Sequence, residues 1–238
     1  MGDRVRTCLR ETRWTVTANV AGQACDRVRL AAQQALEARG VFHLVLAGGS
    51  TPRALYAQLA GLHTDWRGWH LWFGDERCLP EHDAQRNSRM ADAAWLAASP
   101  IPPSQIHRMH AERGAVAGVR DYVGQLAGTE TFDLVLLGLG EDGHTASLFP
   151  RRLPEPEDAV AIAVMDAPKP PAERISLSAR RLSDARAVLF LVTGAGKCDA
   201  VSRWRRGDAI PAAEICPPHG TVEVLLEPVC LAEAQSQI

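Results

Sequence analysis

Residues 41–56 read VFHLVLAGGSTPRALY, a nearly unbroken apolar run that ends on two glycines, two hydroxyls and a proline before a helical pattern resumes. An apolar run this short, with almost no polar alternation, predicts a strand buried on both faces. Gly48 and Gly49 let the backbone turn sharply and approach a ligand with no Cβ in the way. Pro52 suits the first turn of a helix, where its missing N–H is not needed. With Ser50 and Thr51 supplying hydroxyls and the helix start supplying free N–H groups, the turn suits a phosphate monoester. The same residues also make a plain strand-to-helix turn with Thr51 as N-cap, and the stretch alone admits both readings. Neither Walker spacing nor GxGxxG is present, so nucleotide binding has little support.

The same unit recurs on either side. Upstream, Ala21, Cys25, Val28, Ala32 and Leu36 recur every three or four residues, with Asp26, Arg29, Gln33 and Glu37 opposite, so an amphipathic helix is expected, ended by Gly40. Downstream, WHLWFG (69–74), FDLVLLGLG (132–140) and AVLFLVTG (187–194) repeat the buried-strand pattern, each followed by turn residues and a helical stretch such as 87–97 or 197–205. This alternation predicts an α/β fold: one three-layer α/β/α domain over residues 1–238, with a mostly parallel, Rossmann-like sheet. Residues 150–171, with six prolines around AVAIAV, break the rhythm and are expected to form an extended loop or flap carrying one strand.

The composition is that of an ordinary globular protein, 46% apolar and 23% charged, with a net charge of -2. Nothing in that balance attracts nucleic acid or an anionic membrane. No apolar run is long enough to span a bilayer, and the opening MGDRVRTCLRETRW is too charged for a secretory signal, so a cytoplasmic protein is expected. Six scattered cysteines without zinc spacing read as reduced thiols, mostly core filler, and no metal is expected.

In open parallel sheets ligands collect beyond the carboxyl ends of the strands, and here those ends read GGSTP, GDERC, GLGEDGHTAS and TGAGK. In the second, Asp75, Glu76 and Arg77 read either as solvated surface charge or as site residues, in which case Arg77 can reach an anion or a developing oxyanion and Asp75 can orient it or a substrate hydroxyl; Asn87 is expected to cap the helix that it begins, the alternative being an amide turned toward the pocket. The third places Asp142, Gly143 and His144 after a buried strand, and imidazole is the side chain suited to accept a proton near neutrality. Lys197 and Arg174 are cations whose placement suits a bound phosphate; Arg180 and Arg181 read as surface charges.

Taken together, LAGGSTPRALY, WFGDERCLPEHDAQRNSRM, LLGLGEDGHTASLFP, ERISLS and TGAGK resemble the glucosamine-6-phosphate isomerase/6-phosphogluconolactonase family, in the family's order from Leu46 to Lys197, and its lactonase branch in particular. The resemblance implies a NagB-like fold and hydrolysis of 6-phospho-D-glucono-1,5-lactone to 6-phosphogluconate in the oxidative pentose phosphate pathway, with no required cofactor. In that setting His144 is the base that activates water. Arg77 stabilises the oxyanion, Asp75 or Asp142 positions His144 or the sugar, and Gly48, Gly49, Ser50, Thr51, Gly143, Arg174 and Lys197 hold the substrate and its phosphate. The expected partner is this small sugar-phosphate lactone, not nucleic acid or membrane, and a monomer is compatible with the sequence. Toward the C-terminus the resemblance weakens: CPPHGTVEVLLEPVCLAEA (216–234) has valines and Glu227 where the family commonly shows a tryptophan and an aspartate. An amino-sugar phosphate deaminase or isomerase and a non-catalytic sugar-phosphate sensor are the alternatives on the same fold. A serine hydrolase is set aside, because no GxSxG elbow is present.

Overall fold

The structure, a computed structural model, describes residues 11–151 and 155–231. Ten strands are formed among them: β1 (Arg13–Val16), β2 (Phe42–Leu46), β3 (Trp69–Phe73), β4 (Asp75–Arg77), β5 (Ile106–His107), β6 (Leu134–Gly138), β7 (Ala161–Val164), β8 (Arg174–Leu177), β9 (Ala187–Val192) and β10 (Thr221–Leu226). The helices are α1 (Val20–Arg39), α2 (Ser50–Leu59), α3 (Asn87–Ala94), α4 (Ala115–Leu126), α5 (Ala179–Ser183), α6 (Cys198–Arg206) and α7 (Pro211–Glu214).

Seven strands make one sheet in the order β1-β10-β9-β6-β2-β3-β5, parallel at every pairing. Its central strands are apolar because both faces are covered by flanking helices; Leu44, Val45, Val135, Leu136 and Phe190 are fully buried. From β2 the chain builds outward through β3 and β5, then returns to place β6 on the other side of β2. The order therefore reverses between β2 and β6, where an open parallel sheet leaves a crevice beyond its carboxyl ends.

A second, antiparallel sheet, β4-β8-β7, is not foreseen by the strand periodicity. Its strands have three or four residues each, too short to show a pattern, and β4 follows β3 after only Gly74. Of the proline-rich stretch, residues 161–164 supply β7, as expected for a flap carrying one strand.

The helix expected over 87–97 stops at Ala94. Trp95 leaves helical geometry at φ −157° and is buried against Tyr56, Trp66 and Trp69, so aromatic packing overrides local propensity. Arg181, read as a surface charge, is instead buried, with its guanidinium 3.8 Å from the centre of the Phe132 ring and donating to the carbonyls of Thr129 and Glu130. Five cysteines lie among the described residues and all are free thiols; Cys216 and Cys230 are buried and Cys25 and Cys78 pack against the core, as expected for core filler, with Cys198 half-buried at the start of α6. No helix of the described residues is long and apolar enough to cross a membrane, and no group of three metal-ligating side chains is found among them.

Candidate active site

A cavity of about 190 Å³ opens at the point where the strand order reverses. Gly48 and Gly49 after β2, Asp75 and Arg77 of β4, His144 after β6, Arg174 of β8 and Lys197 before α6 all line it. Asp142, Gly143, Ser50 and Thr51, also expected at the site, are not among the residues that line it.

Two glycines admit the side chains that shape this space. A Cβ on Gly140 would fall 2.0 Å from Nδ1 of His144, so the imidazole can lie against the chain only because that position has no side chain. A Cβ on Gly48 would fall 2.0 Å from Oδ1 of Asn87, which packs against the turn in the same manner.

His144 is held from one side. Its Nδ1 lies 2.5 Å from Oδ1 of Asp142, and the same oxygen accepts the His144 backbone N–H at 3.1 Å. Burial disfavours the Asp142 carboxylate, but these two hydrogen bonds and the nearby imidazole outweigh it and hold the carboxyl below its usual range. An ionised carboxylate only accepts hydrogen bonds, so the ring proton resides on Nδ1 and Nε2 is left as the basic nitrogen. Asp142 is thus the acid that touches the imidazole, which distinguishes it from Asp75.

Asp75 is buried and bound on both oxygens: Oδ2 accepts the Ser147 hydroxyl at 2.6 Å, and Oδ1 accepts the Asn87 amide at 3.0 Å. Asn87 therefore does not cap its helix. The first N–H groups of α3, at Asn87 and Ser88, are instead taken by the buried carboxylate of Glu76, at 2.7 and 2.8 Å. Glu76 outcompetes the expected cap because it is ionic and lies opposite the helix start, where the macrodipole favours negative charge.

Thr51 is not an N-cap either. Gly49 occupies that position without a side-chain bond, and the Thr51 hydroxyl lies 2.6 Å from that of Thr193, linking the GGST turn to the TGAGK turn. Lys197 ends a short 3-10 turn, Ala195–Lys197, one residue before α6.

Arg77 and Arg174 sit directly opposite each other in the β4–β8 register. Like charges so placed repel, which an anion in the cavity relieves. Arg77 donates from Nη1 to the carbonyl of Gln85, while its Nε is buried with no hydrogen-bond partner among the described residues. Arg174 donates from Nε to Pro171 O at 3.1 Å and from Nη2 to Lys169 O at 2.9 Å, pinning the proline-rich strap. Burial lowers its pKa; Asp75 opposes that shift and Arg77 adds to it. Ser147 and Thr193 carry no role in the sequence reading, because each acts through a partner remote in the chain, and Glu76, readable from sequence as solvated surface charge, is buried because the start of α3 and Arg86 surround its carboxylate.

A parallel α/β sheet whose switch-point crevice combines an acid–imidazole pair with three cations defines a class of protein that handles small anionic substrates with acid–base chemistry. The chain matches the family "Glucosamine-6-phosphate isomerases/6-phosphogluconolactonase" over residues 16–224, and it belongs to that family. It is 37% identical over 218 residues to the 6-phosphogluconolactonase of Mycobacterium leprae, covering 85% of this chain and 87% of that one. It is 39% identical over 209 residues to that of Mycobacterium tuberculosis, covering 80% and 85%. Among solved structures, the 6-phosphogluconolactonase of Trypanosoma brucei superposes with a TM-score of 0.83 at 26% identity, over 92% of this chain and 97% of that one. A monomeric glucosamine-6-phosphate deaminase shares the fold, with a TM-score of 0.76 at 20% identity, over 93% and 98%.

Proposed function

We propose that the protein is a 6-phosphogluconolactonase, hydrolysing 6-phospho-D-glucono-1,5-lactone to 6-phosphogluconate in the oxidative pentose phosphate pathway. The observation that carries the mechanism is the Asp142–His144 pair at 2.5 Å, in a cavity whose other walls carry Arg77, Arg174 and Lys197. Nε2 of His144 takes a proton from water as the water oxygen attacks C1 of the lactone. The carbonyl π electrons move onto oxygen, where the guanidinium charge of Arg77, on the cavity wall, stabilises the developing anion. Collapse of the adduct breaks the bond from C1 to the ring oxygen, and the imidazolium returns its proton to that oxygen. Water is the nucleophile and the reading needs no cofactor.

The phosphate lies at the Gly48–Gly49 turn and the start of α2, with Lys197 and Arg174 closing around it. With two nitrogens committed to the strap, Arg174 contributes chiefly its charge. This remote grip fixes the carbonyl against the base. Residues 1–238 act as one domain in this reading, and the free thiols and modest net charge suit the cytoplasm.

The test is a time course of acid release from freshly generated phosphogluconolactone, against a no-enzyme control. His144→Ala is expected to lower kcat by about 10²- to 10⁴-fold with KM little changed. A variant as fast as wild type would remove the mechanism. Ammonia release from glucosamine 6-phosphate is expected to stay at background; release at enzymatic rates would favour the deaminase reading.

A further inference from the structure

Glu227 follows β10, beyond residues 16–224 matched by the family, and reaches back to the turn that carries Lys197. Its N–H donates to the carbonyl of Val192 at 3.0 Å, continuing the β9–β10 ladder by one bond. Its Oε2 then accepts the N–H of Gly194 at 2.8 Å. The Gly194 carbonyl is engaged too, by the Lys197 N–H at 3.1 Å and the Cys230 thiol at 3.4 Å. In the reverse direction, the Cys198 thiol donates to the carbonyl of Val229 at 3.1 Å. Both backbone polar groups of Gly194 are thus fixed, three residues before Lys197, and residues 227–230 make two of those bonds.

The turn has little else to hold it. Gly194, Ala195 and Gly196 are exposed, and Gly194 takes φ +90° with open space where a side chain would be. A loop of this composition loses much entropy when ordered, so an anchor at Gly194 determines how far Lys197 wanders before substrate arrives. On its other side the hydroxyl contact of Thr193 with Thr51 ties the turn to the GGST turn.

We infer that Glu227 is a positioning residue for the phosphate site: its carboxylate, bound to the Gly194 N–H, preorganises the turn that presents Lys197. This rests on the reading of Lys197 as a phosphate ligand. Glu227 touches no reacting atom, and its effect reaches substrate only through the turn. Loss of the anchor therefore weakens a contact present in both ground and transition states, which raises KM and spares kcat. A lactone without the phosphate gains nothing from Lys197 and is indifferent to Glu227.

The experiment compares wild type, Glu227→Ala and Glu227→Gln on 6-phosphogluconolactone and on unphosphorylated glucono-1,5-lactone, with thermal melting of each variant. Glu227→Ala is expected to raise KM for the phosphorylated lactone by about 3- to 10-fold, the worth of one such hydrogen bond. Its kcat should stay near wild type, and so should kcat/KM for the unphosphorylated lactone. Glu227→Gln retains an acceptor for Gly194 and should restore most of the KM. An unchanged KM in Glu227→Ala, or equal damage to both lactones, would overturn the inference. Wild-type protein that hydrolyses the unphosphorylated lactone as efficiently as the phosphorylated one would overturn it together with the phosphate reading of Lys197, whereas a selective wild type with an indifferent Glu227→Ala overturns this inference alone.

Discussion

The Tyr56 hydroxyl accepts the N–H of Ala47 at 2.9 Å and donates to the carbonyl of the same residue at 2.8 Å, closing both backbone groups at the last position before the Gly48–Gly49 turn. Tyr122 does the same for Phe73, at 2.8 and 3.0 Å, one residue before Gly74 and β4. These are the two tyrosines of the chain, both completely buried, so burial pushes each phenol far up and neither ionises. Each strand is thus held where it leaves the sheet for the cavity. Phenylalanine at either position leaves a buried N–H and C=O unpaired, so Tyr56→Phe and Tyr122→Phe are each expected to cost about 1–3 kcal/mol. Chemical denaturation checks this; a loss of stability too small to measure in both would mean that other groups satisfy these strand ends.

Asp142 fixes the tautomer of His144, so Asp142→Asn presents an amide that can leave the ring proton on the wrong nitrogen. The side chain is 41% exposed, and solvent can replace part of its effect. A fall in kcat of about 10²-fold is expected, at the low end of what a general base supplies, with KM nearly constant. Steady-state kinetics of folded Asp142→Asn protein decides this. Equal kcat would make the contact a loop brace rather than part of the base.

What the sequence made legible follows from how local each signal is. The four strands read from sequence, β2, β3, β6 and β9, carry their own evidence, since short apolar runs such as LVLL at 134–137, bounded by turn residues, suit a strand covered on both faces. GEDGHT places His144 and Asp142 two residues apart, so their contact needs little of the fold. By contrast, Glu76 caps a helix 11 residues away, Ser147 meets Asp75 across 72 residues and Thr51 meets Thr193 across 142. No periodicity or spacing encodes such pairs, and in each the local preference lost to a partner delivered by topology. Asn87 was expected to cap its helix for the same reason: its propensity is right, and a buried carboxylate that sequence cannot place got there first.

Glu76 binds the N–H groups of Arg77, Asn87 and Ser88 and lies 3.5 Å from Nε of Arg86, both side chains being buried. Glu76→Ala removes four partners at once and leaves Arg86 with Glu112 alone among the acids of the described residues. A loss of about 3–5 kcal/mol is expected, as for other broken buried ion pairs. Glu76→Gln keeps acceptor geometry and should lose less. Melting curves of the two variants give the ranking, and a Glu76→Ala protein as stable as wild type would refute it.

Gly48→Ala tests how closely the site is packed. The new methyl would overlap the Asn87 amide, which in turn holds Asp75, so the turn or Asn87 must move. Activity is expected to fall by at least about 10-fold, since small displacements of positioning groups cost that much or more. Pairing it with Asn87→Ala, which clears the space, should recover part of the loss relative to the two single effects added. Strict additivity would show that the two residues do not meet.

Three half-buried histidines on neighbouring strands make stability depend on pH. His70 Nδ1 lies 3.1 Å from His107 Nε2, the His107 ring stacks on Trp72 at 3.7 Å, and the Trp72 indole N–H donates to His43 Nδ1 at 3.1 Å. Burial lowers the pKa of all three, His107 to about 4, and for His43 and His107 the neighbouring imidazoles add to the effect. A histidine whose folded pKa lies below its unfolded value of about 6.5 favours folding while it is neutral. That contribution is whole above about pH 6.5 and is lost as the pH falls toward about 4, because the unfolded chain binds the proton first. Tm is therefore expected to drop steadily between pH 6.5 and 4.5, before most carboxylates titrate. In His107→Gln the largest of the three shifts is gone and the slope of Tm against pH over that interval should flatten. An unaltered slope would assign the acid sensitivity elsewhere.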